Sequence, residues 1–120
     1  MASNVKECLE ELLGLEGALG AALVDFKSGM ALGMAGGGVN LEFAAAGNTE
    51  VVRAKLKTMQ GLGLQDRIED ILITLGKQYH LIRLGQKHNN LFFYYVLDRG
   101  RANLALARLK LAEVEGKLTL

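Results

Sequence analysis

The chain has 120 residues, 50% of them hydrophobic and 22% charged, with 14 Lys+Arg against 13 Asp+Glu for a net charge of +1. That composition excludes intrinsic disorder, and it lacks the basic excess expected of a nucleic-acid or anionic-membrane partner. One cysteine, Cys8, cannot build an internal disulfide or a zinc site of several thiolates. The length fits a single domain over residues 1–120. The first residues, MASNVKECLEELL, carry no charged-then-apolar leader pattern, and no apolar run reaches the roughly 18 residues of a membrane span. A reducing, cytoplasmic setting is the expectation.

The first helix is predicted over residues 4–14. Val5, Cys8, Leu9, Leu12 and Leu13 form one apolar stripe, and Asn4 with Glu7 has the spacing of a capping box. Residues 19–26 (LGAALVDF) read as a strand that is apolar on both faces. A turn at 25–29 returns the chain through a short strand, 30–34 (MALGM). A second helix is predicted over 41–60 with Asn40 as its cap. Leu41, Ala45, Val52, Leu56 and Met59 share one side of it. Phe43, Gly47, Val51, Ala54 and Thr58 form a second, small-residue stripe, while Thr49 falls on the polar face. One stripe docks a helix on a sheet; the second calls for another surface to cover it. Three strands follow, at 67–75, 79–84 and 91–97, the last again apolar on both faces, and a third helix at 101–115 closes the chain.

The order is therefore αββαβββα, an α+β chain whose short strand connections require antiparallel neighbours. Two strands apolar on both faces require helices on both sides of the sheet. The first helix is acidic and the C-terminal segment basic, so these two are expected side by side, with the second helix on the opposite face.

Residues that could carry chemistry do not converge on a site. Gly36-Gly37-Gly38 precedes a helix, but the phosphate-loop pattern with its Lys-Ser or Lys-Thr is absent. His80 and His88 have no cysteine cluster near them, so no metal or other cofactor is expected. Spacing alone permits a Ser28/His80/Asp98 constellation, yet Ser28 reads as a turn residue and Cys8 as a core residue. Arg67, Glu69 and Asp70 suit a charged edge strand better than an acid/base cluster. Phe92, Phe93, Tyr79, Tyr94 and Tyr95 suit a core better than a base-stacking platform.

The order of elements and four segments resemble the roadblock/LC7 family: LEGALGAALVDFKSGMALGM, LEFAAAGNTEVVRAKLKTM, RIEDILITL and LFFYYVLDRGRANLALARLKL. The likeness covers about residues 5 to 115. It implies a five-stranded antiparallel sheet between the second helix and the first and third. It also implies a homodimer joined through the third strand and second helix, and a non-enzymatic role as a motor light chain, scaffold or regulator of small Ras-like GTPases. On this basis the homodimer interface is expected at Phe43, Gly47, Val51, Ala54 and Thr58 of the helix and at Ile71, Leu72, Ile73 and Thr74 of the strand. The expected partners are a second copy and a small GTPase, with no nucleic acid and no small-molecule substrate. Any stimulation of hydrolysis would act by holding the GTPase's own catalytic residues in place. The alternative is a small-molecule sensor domain of PAS-like or profilin-like type, which would need an internal cavity beside the sheet.

Overall fold

The computed structural model describes residues 3–120. The elements are α1 (Val5–Leu13), β1 (Ala18–Asp25), β2 (Ala31–Gly36), α2 (Leu41–Gly61), β3 (Asp70–Thr74), β4 (Gln78–Leu84), β5 (Leu91–Asp98) and α3 (Leu104–Lys117). The strands form one antiparallel sheet in the order β2-β1-β5-β4-β3. This is the expected αββαβββα arrangement, with β5 at its centre.

The side chains of β5 explain the layering. Leu91, Phe93, Tyr95 and Leu97 point to one face and pack with Ala21, Leu23 and Leu81 beneath α1 and α3. Phe92, Tyr94 and Val96 point to the other and pack with Ala22, Val24 and Ile82 beneath α2. Burying one such side chain contributes about 1.5–3 kcal/mol, so neither face can be left to water. The acidic and basic helices do lie together: Lys117 Nζ is 2.6 Å and Lys110 Nζ 3.4 Å from Glu11. The hydroxyl of Tyr95 donates to the Leu12 carbonyl, which also accepts a long bond from Leu15 N–H, and so ties the sheet to the end of α1.

Several expectations are corrected in detail. Asn4 makes no capping box. Its side chain donates to the Lys117 carbonyl and accepts from Thr119 N–H, both at 2.7 Å, because the chain's C-terminal segment presents unpaired backbone groups beside it. The strand predicted at 67–75 is shorter. Pairing with β4 stops at Asp70 opposite Arg83, so Arg67, Ile68 and Glu69 lie in the preceding loop. The third helix starts at Leu104, where Asn103 Oδ1 accepts from Leu106 N–H at 3.0 Å; Arg101 and Ala102 instead donate to the Asp98 carbonyl in a turn. Thr49 is buried against the sheet, made tolerable by its hydroxyl donating to Ala45 O at 2.7 Å. The sheet also has two open edges, β2 and β3, where sequence reasoning singles out only the third strand.

This packing can be probed at a glycine and at two phenols. A Cβ at Gly20 would collide with the carbonyl of Gly37, a backbone atom that cannot swing aside. Gly20→Ala should therefore cost about 1–3 kcal/mol and lower the thermal midpoint by several degrees, read by circular dichroism. Burial also pushes the Tyr94 and Tyr95 phenols up to about 12, from 10. A raised folded value means this contribution to stability is complete below pH 10 and is lost as pH rises towards 12. Tyrosinate absorbance at about pH 11 should show both still protonated in the folded protein and ionised once denaturant is added.

Candidate docking surface on α2 and the β3 edge

The side chain of Asn40 caps α2 by accepting from Phe43 N–H at 3.0 Å. From there the helix presents Leu41, Ala45, Thr49, Val52 and Met59 to the sheet. The second stripe faces outward. Phe43 is 78% and Val51 39% exposed, and Gly47, Ala54 and Thr58 lie open between and beyond them. A Cβ on Gly47 would meet nothing within 4 Å, so packing within one copy gives no reason for glycine there.

The β3 strand lies beside this stripe. A groove of about 530 Å³ runs between Val51 and Lys55 on α2 and residues 67–71, which bring Ile68 and Ile71 to its floor and Asp70 to its rim. Asp70 is held by Arg108 of α3, Nε to Oδ2 3.2 Å. Ile71 packs into the layer under α2 and Leu72 into the layer under α1 and α3. Ile73 is half-buried and Thr74 exposed. The bond from Leu75 N–H to Gln78 O sets the alternation along the β3–β4 pair. It turns the peptide groups of Ile71 and Ile73 inward to β4 and those of Leu72 and Thr74 out to the open edge. Of the four strand residues expected to bond across an interface, only these two have free backbone groups.

The other candidate residues are engaged elsewhere. Ser28 Oγ donates to Asp25 Oδ2 at 2.8 Å within the β1–β2 turn. His80 Nε2 lies 2.8 Å from Gln78 Oε1 and Nδ1 2.9 Å from the Tyr94 hydroxyl, and burial lowers its pKa. Asp98 Oδ1 accepts from Gly100 N–H. Ser28, His80 and Asp98 thus belong to three separate networks. Cys8 is buried beneath α3, and burial first, then Glu11, raises its thiol pKa. Phe92, Phe93, Tyr94 and Tyr95 are buried in the core. Among the described residues no cluster of His, Cys, Asp and Glu could hold a metal ion, and no helix is long and apolar enough to cross a membrane.

Sequence reasoning missed three exposed apolar groups: Met30, Leu32 and Met34 on and beside β2, Leu62 and Leu64 after α2, and Leu106 and Leu109 on α3. A signal for the first exists, since no charged residue stands between Lys27 and Glu42. In the isolated chain, Gly47→Ala should stabilise α2 by about 0.5–1 kcal/mol, because it removes glycine's backbone entropy and meets no neighbour. Chemical denaturation at concentrations low enough to keep the chain monomeric checks this.

No protein-family model and no curated protein matches the chain. Solved structures do. MglB of Myxococcus xanthus superposes with a TM-score of 0.82 at 16% identity, over 94% of this chain and 89% of that one. The gliding protein MglB of Thermus thermophilus gives 0.79 at 21% identity, over 93% and 83%. A Roadblock/LC7 domain from Streptomyces avermitilis gives 0.79 at 10% identity, over 92% and 90%. The chain has the roadblock/LC7 fold.

Proposed function

We propose that this roadblock/LC7-fold chain is a non-enzymatic, cytoplasmic homodimeric regulator or scaffold that binds a small Ras-like GTPase. The observation that carries the reading is the continuity of two unsatisfied surfaces: the uncharged stripe of α2 and the open β3 edge, joined across one groove. A second copy related by a two-fold axis satisfies both at once. The two β3 strands pair antiparallel through Leu72 and Thr74, and the two α2 helices approach at Gly47. The resulting surface presents the rims of both grooves to a further partner. The dense filling of both layers around β5 favours this reading over a ligand-sensing domain, which needs space beside the sheet. The GTPase is inferred from the family resemblance and from the fold shared with MglB, not from any one contact residue.

Sedimentation equilibrium at micromolar concentration should give twice 13.0 kDa. Gly47→Leu should weaken the dimer more than it changes helicity. Leu72→Pro or Thr74→Pro should split the dimer while the β3–β4 hairpin survives, since only outward donors are removed; Ile73→Pro should break the hairpin itself. A 13.0 kDa species alone would refute the dimer.

The GTPase is tested by calorimetry on one that co-purifies from the native cytoplasm. Tighter binding of its GTP-analogue form than its GDP form is expected, because contacts to the switch regions distinguish the two. Equal affinities would reduce the role to tethering, and tight binding of free nucleotide by this chain alone would overturn the reading.

A further inference from the structure

We infer that the opposite edge of the sheet, β2, is a docking strand for an extended, apolar-and-basic peptide segment of a partner protein. Among the described residues no strand covers its outer side. Gly37 N–H donates to Leu19 O and Asp25 N–H to Met30 O. With the register Ala21–Ala35 and Ala22–Met34, this alternation directs the peptide groups of Ala35 and Gly33 to β1 and those of Met34 outward. The edge therefore offers an incoming strand a free N–H and C=O at its midpoint.

The flanks of that edge carry the specificity. On the α1 side a groove of about 400 Å³ is walled by Val5, Leu9 and Leu32 and edged by Lys6, Glu7 and Glu10. On the α2 side a groove of about 280 Å³ is walled by Met30, Ala31 and Ala46 and edged by Glu42. Met34 lines both. An added strand sends alternate side chains to opposite faces of the sheet, so its successive residues drop into one groove and then the other. The exposed side chains there are large and unbranched at Cβ: Met30 is 68%, Leu32 51% and Met34 49% exposed. Methionine adapts its shape to different apolar partners. Glycine at 33 keeps the edge accessible without loosening α1, since a Cβ there would press on Val5 and Leu9.

Charge selects the occupant. Three carboxylates, Glu7, Glu10 and Glu42, face one ammonium, Lys6, around the two grooves, and none of the three carboxylates makes an ion pair among the described residues. A strand carrying Lys or Arg beside its apolar residues complements this rim. A second copy does not. Antiparallel pairing of two β2 edges about a two-fold axis leaves both α1 helices on the same face, setting Glu7 and Glu10 against their own equivalents. The site lies at the end of the sheet opposite β3.

The probe is a displayed library of random decapeptides selected on the purified full chain, with affinities of the enriched peptides then measured by fluorescence anisotropy. Enriched sequences should alternate apolar residues and carry Lys or Arg. Exchange of their Lys and Arg for Glu should weaken binding about tenfold or more at low salt. Met34→Pro, which removes the outward donor, and Met34→Lys, which sets an ammonium against the peptide's own cations, should each weaken it by about the same factor, whereas Val51→Arg at the α2 groove should leave it within about twofold. Amide exchange at Met34 should slow on binding. No enrichment, or binding untouched by both Met34 variants, overturns the proposal. Self-association of the chain that Met34→Lys abolishes would assign the edge to a second copy instead and equally overturn it.

Discussion

The structure depends on one strand with no polar face. From Leu91 to Leu97 every side chain of β5 is buried, and the alternation of the backbone divides them between two layers. A strand of this kind is stable only when helices cover both faces of its sheet, so α1 and α3 must take one side and α2 the other. The two-against-one division follows from charge and size. Glu11 joins α1 to α3 through Lys110 and Lys117, and the paired helices cover their face more completely than one helix can.

That asymmetry leaves α2 alone on its layer. Its inner stripe is absorbed by the sheet, while among the described residues its outer stripe is left largely uncovered, with Val51 at the wall of the groove beside β3. A lone helix on a five-stranded sheet also cannot shield the outer strands, so β2 and β3 remain open at the two ends. The two edges are not equivalent. The β3 edge is short, flanked by Arg67, Glu69 and Asp70, and continuous with the α2 stripe. The β2 edge has no charge of its own and sits between two grooves with acidic rims. A sheet held together at its centre by β5 thus presents two different binding surfaces at its ends, which suits a molecule that assembles others rather than one that transforms a substrate.

The polar groups taken into the core show how little chemistry is left over. Tyr95 caps the end of α1, Tyr94 and His80 satisfy one another with Gln78, and Thr49 bonds back to its own helix. Each removes an unsatisfied donor or acceptor that would otherwise cost about 1–3 kcal/mol. Glu115, buried on α3, accepts from Lys87 N–H at 3.3 Å and lies 3.5 Å from Arg83 Nε, a long contact that relieves its charge without a good hydrogen bond. These residues hold layers together.

Much of this is legible in the residues alone, for a local reason. Period-two and period-3.6 patterning depends only on neighbours in the chain. The eight elements, the doubly buried strands at β1 and β5, the two stripes of α2 and the placement of the acidic helix beside the basic one all follow from such patterning. Tertiary structure decided what depends on residues far apart. Asn4 forgoes its capping box because Thr119 and Lys117 lie beside it, a contact between the two ends of the chain. Thr49 looks polar on a helical wheel but is buried because β1 and β2 pass beneath it. The strand predicted from Arg67 begins only at Asp70 because its ladder with β4 stops opposite Arg83. Above all, alternation cannot say which strands stand side by side. Only the order β2-β1-β5-β4-β3 reveals that β2 is an edge and that Leu72 and Thr74, not Ile71 and Ile73, offer their backbone outward, because strand order and hydrogen-bond phase are set by pairing between segments and not by the pattern within any one of them.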